Sequence, residues 1–282
     1  MSHAYISAYV PPSEAVEPIH VDTTKPSIAR VYDAGLGGKD NYEVDREVVR
    51  RLSNVAPEIT QWTRDHRAFL VRVTRFLAGH AGITQYLDCG SGLPTVDNTH
   101  QVAQRLQPEA SVVYVDNDPV VLAHGRALLE ENDQTHFSAG DIFQPDQILR
   151  DEVVRTYLDF TQPIALFQLG TLHHYNGERD PADIMREYID ALPSGSYVAL
   201  SHFFDPEDEH SEIARKMEDV FVHSPLGSGV FRTRARIESM LAGLELVEPG
   251  LSQCVDWWPD GPRLRPLLPE QCCLVGAVGR KP

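Results

Sequence analysis

Residues 86–94 read Tyr86-Leu87-Asp88-Cys89-Gly90-Ser91-Gly92-Leu93-Pro94. An apolar run ends on a carboxylate and passes directly into a Gly-x-Gly turn. Glycines at a strand end let backbone approach a ligand where any side chain would clash. The acid beside them can accept hydrogen bonds from an ammonium or a hydroxyl. The same segment also reads as an ordinary tight turn between a strand and a helix. Spacing favours the ligand reading. Asp116 follows the next β-branched run, Ser111–Val115, and lies 28 residues beyond Asp88. Nucleotide-binding α/β folds place a carboxylate there, on the ribose hydroxyls.

Outward from this stretch, strands and helices alternate. Apolar runs predict strands at 84–89, 111–115, 134–138, 163–169, 196–203 and 271–279. Helical spacing predicts helices at 97–106, after Asp118-Pro119, at 180–191 and at 207–221. This alternation implies a mostly parallel sheet with helices on both faces. Upstream of residue 83 the pattern is helical. Asp40 is expected to open one helix, with Glu43 as its capping-box partner. A second helix is expected from Pro57 to Ala78-Gly79, with Trp62, Phe69, Leu70, Val73, Phe76 and Leu77 as its core stripe. Residues 1–25 carry three prolines and no period. The expected organisation is therefore an extended arm (1–25), an N-terminal helical extension or lid (26–82) and a Rossmann-like α/β nucleotide-binding domain (83–282).

The nucleotide is constrained by what the glycine loop lacks. A dinucleotide fingerprint needs a glycine three positions after the second one. That position is Thr95. The acid ahead of the glycines suits the cationic amino group of a methionine moiety better than a diphosphate. S-Adenosylmethionine (SAM) is thus the expected cofactor, with NAD as the alternative. Asp141, in Ala139-Gly140-Asp141-Ile142-Phe143, can accept from an adenine amine while Ile142 or Phe143 packs on the ring. It can equally cap the turn at Gln144-Pro145.

The order of these motifs resembles the class I SAM-dependent methyltransferases. The resemblance rests on LDCGSG, VVYVDNDP, AGDIF, PIALFQLGTLHHY and LPSGSYVALSHF, with CCLVGAVGR similar to the family's last strand. More narrowly, KPSIARVYDAGLGGKDN resembles a block preceding the SAM domain in an actinobacterial-type group of these enzymes. The resemblance implies a mostly parallel sheet whose last strand is antiparallel. It also implies SAM contacts at Asp88, Gly90, Ser91, Gly92, Asp116, Asn117, Asp141 and Ile142. Pro94 departs from the pattern, standing where many methyltransferases carry a third glycine.

Candidate chemistry beyond the cofactor is sparser. His173 and His174 follow the fourth strand, at the sheet edge where open α/β folds bind ligands. His173 is the candidate general base, since imidazole titrates near neutrality. His174 and His202 are substrate-side candidates, and all three can instead satisfy backbone at strand ends. Gly35-Leu36-Gly37-Gly38-Lys39-Asp40 is not a phosphate loop, because Asp33 and Asp40 stand where that motif needs glycine and a hydroxyl residue. It reads as a mobile lid or as a plain connection; Tyr32, Lys39, Asp40 and Asn41 are the substrate or lid candidates in this region. No pair of candidate ligands has the helical spacing of a known metal motif, so no metal is expected.

The chain carries 25 basic and 41 acidic residues, a net charge of −16. That field repels phosphate backbones and anionic lipid, which argues against nucleic acid or membrane partners. Cys89, Cys254, Cys272 and Cys273 form no CxxC pair and read as buried thiols. No apolar run approaches the about 18 residues of a membrane span, and the first residues lack a signal-peptide pattern. The expectation is a cytoplasmic methyltransferase acting on a small molecule. A non-catalytic SAM-responsive binding protein and an NAD-dependent oxidoreductase are the alternatives.

Overall fold

A computed structural model describes residues 21–128 and 132–282. The expected arm lies outside the described residues apart from 21–25. Eight strands form one sheet: β1 (Gln85–Cys89), β2 (Ser111–Asp116), β3 (Thr135–Ala139), β4 (Ala165–Leu169), β5 (Tyr197–Phe203), β6 (Glu245–Leu246), β7 (Ser252–Gln253) and β8 (Leu274–Arg280). Their order is β3-β2-β1-β4-β5-β8-β6, with β7 also paired to β8. The first five are parallel, and β8 runs antiparallel to β5. The mostly parallel sheet with an antiparallel last strand agrees with expectation. Strand β8 starts at Leu274 because Gln271–Cys273 wind into a 3₁₀ turn first.

Strand alternation divides the core in two. Tyr86, Val112, Tyr114, Phe167 and Ala199 face one layer, while Leu87, Cys89, Val113, Val115 and Leu166 face the other. Successive side chains on a strand point to opposite faces, so each buried strand serves both layers. The first layer holds α1 (Ile28–Leu36), α2 (Glu43–Val55), α3 (Ile59–Gly79), α4 (Thr99–Gln104) and α5 (Pro119–Leu128). The second holds α6 (Pro145–Arg150), α7 (Glu152–Tyr157) and α8 (Pro181–Ala191). Helix α9 (Ser211–His223) joins the first layer and α10 (Arg234–Ser239) the second.

The N-terminal helices depart from the expected caps. Helix α1 is an additional element, opened by Ser27, whose hydroxyl accepts from the Arg30 N–H, and closed by Gly37 at φ 80°. Helix α2 begins at Glu43, not at Asp40. Its capping carboxylate is Asp45, which accepts from the Tyr42 N–H at 2.8 Å. Asp45 also accepts from the Ser27 N–H and pairs with Arg30 at 3.0 Å, both side chains being almost wholly buried. One carboxylate thereby ties the starts of α1 and α2 together.

Helix α3 starts two residues later than expected and runs 21 residues. It lies directly on the sheet: a Cβ on Gly276 of β8 would meet the Phe69 ring at 2.4 Å. Only glycine permits that approach. Asp118 caps α5 as expected, accepting from the Val120 N–H at 2.8 Å with Pro119 in the first turn. Helices α6, α7 and α10 are six residues each, too short to show a period in sequence.

Candidate functional site

A cavity of about 540 Å³ opens over the carboxyl ends of β1–β5, roofed by α1, α2 and α3. Its position follows from the parallel sheet, whose strand ends deliver loops to one edge. Asp88, Gly90, Ser91, Gly92, Asp116, Asn117, Asp141 and Ile142 all line it. So do Tyr32, His173 and His174. Lys39, Asp40, Asn41 and His202 do not.

The glycine turn is built for close approach. Gly90 sits at φ 75°, and a Cβ there would meet Thr171 Cγ2 at 2.5 Å. A Cβ on Gly92 would meet no atom within 4 Å and would project into open space. The Ser91 hydroxyl is buried and unpartnered. The Gly92 N–H donates to Asp116 Oδ2 at 2.9 Å, and the Asn117 and Asp118 N–H groups donate to Oδ1 at 2.8 and 2.9 Å. Asp116 thus braces the turn while facing the cavity. Burial raises its carboxyl above the ordinary value, against those backbone donors.

Asp88 is 5% exposed, and burial raises its carboxyl to about 6. The Thr99 hydroxyl, donating at 2.6 Å, works the other way. This carboxylate has too little compensation from the protein and gains from any cation that docks beside it. Asp141 accepts from the Phe143 N–H at 3.0 Å, so the turn-capping role is real, and it lines the cavity as well.

The opposite end of the cavity is aromatic. Phe203 lies 4.9 Å from Trp62 and 5.0 Å from Phe221, ring centre to ring centre. His173 stacks on Phe203 at 3.4 Å, and its Nδ1 accepts from the Phe203 N–H at 3.4 Å. Burial drives the His173 imidazole well below its ordinary value and takes His174 down to about 4. His202 is fully buried, within reach of the Phe203 carbonyl through Nδ1 and of Arg232 through Nε2, so it holds backbone and not ligand. Lys39 and Asp40 stand exposed, and Asn41 is held by Asp33, whose carboxylate also takes the Asp40 N–H. That internal bonding turns them away from the cavity.

Sequence reasoning did not single out His66, Thr171 or Ser201. His66 Nδ1 meets Tyr32 Oη at 2.9 Å, and its Nε2 meets Ser201 Oγ at 2.6 Å. Burial lowers His66 to about 4 and raises the Tyr32 hydroxyl, so both are neutral near pH 7. The available signal was position: His66 lies four residues after Trp62, inside the apolar stripe of α3.

Among the described residues no group of His, Cys, Asp and Glu could hold a metal ion, and no helix is long and apolar enough to cross a membrane. No curated protein matches the chain. Two solved structures are similar over almost the whole length. A candidate methyltransferase from Thermobifida fusca YX is 42% identical, with 92% of this chain and 96% of that one covered and a TM-score of 0.87. A DUF574 family protein from Streptomyces avermitilis MA-4680 is 37% identical, with 93% and 99% covered and a TM-score of 0.86. The profile described as S-adenosyl methyltransferase matches residues 14–282. With a SAM-type glycine turn at the edge of a class I sheet, and that profile spanning nearly all of its length, the chain belongs to the S-adenosyl methyltransferase family and takes SAM as its cofactor.

Proposed function

We propose that this chain transfers the methyl group of SAM to a small molecule held beneath α1 and α3. The observation that carries this reading is one continuous cavity with carboxylate loops at one end and aromatic walls at the other. Its volume lies within the roughly 300–1,000 Å³ of small-molecule sites. The net charge of −16 makes a nucleic-acid acceptor a poor electrostatic match.

The residues present suit SAM. Asp88 would accept from the amino group of the methionine portion, and its raised carboxyl is the observation that favours a cation there. Gly90, Ser91 and Gly92 would pass along the same portion. Asp116, with Asn117, would take the ribose hydroxyls. Asp141 would accept from the adenine amine, with Ile142 against the ring. When bound, SAM supplies an electrophilic methyl group on a sulfonium. The protein's own part is alignment of the acceptor, exclusion of water and, where needed, acceptance of a proton. For that last role His173 is the less suitable histidine, because its Nδ1 is committed to the Phe203 N–H and its face to the Phe203 ring. Tyr32 and His66 are the better placed pair.

Two measurements test the reading. Asp116→Ala is expected to weaken S-adenosylhomocysteine about ten- to a hundredfold by calorimetry, the loss of charge-assisted bonds worth roughly 1.5–3 kcal/mol. Unchanged binding in a folded variant removes Asp116 from the site. With methyl-labelled SAM and a cell extract, label is expected in the small-molecule pool. Label confined to macromolecules, or no transfer at all, overturns the proposed activity.

A further inference from the structure

Among the described residues four carboxylates line the cavity, Asp88 and Asp116 at the carboxyl ends of β1 and β2, and Asp118 and Asp141 in the loops after β2 and β3. No carboxylate among the described residues lines the far end. Its walls are Trp62, His173, Phe203 and Phe221, with ring centres 3.4–5.0 Å from the Phe203 ring. Among the described residues the cation that lines the cavity is Arg67, whose Nη2 donates to the Val96 and Asp97 carbonyls and to Asn98 Oδ1, beside α4, while its Nε is buried without a hydrogen-bond partner. Where α1 meets α3, Tyr32 and His66 line the same space and form a hydrogen-bonded file that ends on Ser201 behind them.

We propose that the acceptor is an uncharged, flat aromatic molecule carrying a hydroxyl group, its ring among Trp62, Phe203 and Phe221 and its hydroxyl on Tyr32. This rests on the methyltransferase reading above and names the substrate class of that site. Aromatic walls offer face and edge contacts to another ring. They also attract cations, so charge decides between the two. A cationic acceptor would lie close to the positive sulfonium with no carboxylate at that end to offset the repulsion. An anionic acceptor would lose its hydration against apolar walls, and the guanidinium that lines the cavity, Arg67, already spends Nη2 on the loop before α4 and leaves Nε buried and unpaired. A neutral ring avoids both costs.

Tyr32 is the group that touches the acceptor; His66 and Ser201 act through it as positioning residues. In the proposed arrangement the Tyr32 hydroxyl donates to His66 Nδ1, and His66 Nε2–H donates to Ser201 Oγ. That assignment leaves the Tyr32 oxygen lone pairs free to accept from the ligand hydroxyl. Burial disfavours imidazolium at His66, so one ring nitrogen donates and the other accepts, and the tautomer proposed is the one protonated at Nε2. Ser201 lies on β5 and is fully buried, so the file is anchored in the sheet and not in a loop.

Calorimetry on the full chain tests this with four probes: 2-naphthol, 2-methylnaphthalene, 2-naphthoate and 2-naphthylmethylammonium, each added after sinefungin, an analogue with an ammonium in place of the sulfonium, has saturated the protein. The expected order places 2-naphthol at least tenfold tighter than either ion and several-fold tighter than 2-methylnaphthalene. Tyr32→Phe is expected to abolish the difference between naphthol and methylnaphthalene while leaving affinity for methylnaphthalene and sinefungin unchanged. His66→Gln is expected to narrow that difference without abolishing it. Ionic probes binding as well as naphthol, or a naphthol preference that survives Tyr32→Phe, would overturn the proposal. Failure of sinefungin itself to bind strikes the proposed function, whereas sinefungin binding without naphthol binding strikes the aromatic-acceptor inference alone.

Discussion

Asp88 is the residue where burial and chemistry meet. Its carboxyl stands at about 6 because water is excluded, and the Thr99 hydroxyl and the Arg67 guanidinium work against that without cancelling it. If the ionised form is what accepts from the cofactor's amino group, protons compete with ligand below that value. Affinity for S-adenosylhomocysteine is then flat from pH 7 to about 6 and falls about tenfold for each further unit of acid. Asp88→Asn should bind more weakly at pH 7 and show no such slope. A wild-type profile without a break between pH 5 and 7, measured by calorimetry, would place the amino group elsewhere. At the same scale, the glycine turn was readable because its requirement is local: a strand end, an acid and two positions without side chains. His66 was not readable. A histidine inside an apolar helical stripe looks the same whether it packs silently or bonds to a serine 135 residues away.

At the scale of elements, the coupling of α1 to α2 rests on Asp45. Its carboxylate takes the Ser27 and Tyr42 N–H groups and the Arg30 guanidinium, which in turn donates to the Asp22 and Lys25 carbonyls. Removing one partner of a buried ion pair leaves the other charge without compensation and costs about 3–5 kcal/mol. Asp45→Ala is therefore expected to lower the thermal midpoint markedly and to open α1 over the cavity, read as faster amide exchange across 28–36. The segment 35–41 should behave differently. Gly37 ends α1, and Asp33 holds the Asp40 N–H and the Asn41 side chain, so the loop is tied to itself and not to the cavity. Exchange at 37–41 is expected to ignore S-adenosylhomocysteine while α1 slows by well over tenfold; slowing at 37–41 instead would restore the lid. The long elements were legible because their periods exceed two turns or fill a strand. The cap of α2 was not, since Asp40 and Glu43 match the capping-box pattern while the cap in place two residues on, Tyr42 with Asp45, does not.

For the molecule as a whole, acid is the expected weakness. Burial holds His66 and His174 at about 4 and His202 at about 3, with His173 lowered as well. The unfolded chain protonates these rings near 6.5 while the folded chain does not, so stability falls as pH drops below 6.5 and continues to fall toward 4. At its limit the loss is roughly 3 kcal/mol for His66 and roughly 5 kcal/mol for His202. Asp88 opposes this. Its raised carboxyl binds a proton more readily in the folded state, which adds stability as pH falls from about 6 toward 3.8. Several histidines outweigh that carboxyl. Urea midpoints are expected to decline between pH 6.5 and 5, and His202→Gln should make the decline shallower; midpoints rising over that range would show that the carboxyls dominate.

Helix α3 packs Phe69 into the hollow at Gly276 with one part of its length and presents Trp62 and His66 to the cavity with another. The same rigid rod is keel and doorway. The segment that shapes acceptor choice is for that reason not an interchangeable cassette. A chimera that borrows residues 26–82 from a relative inherits a foreign footing on β8 along with the new specificity. Retuning this scaffold is a matter of single side chains on the first half of α3, where Trp62 and His66 can change while Phe69 keeps its seat.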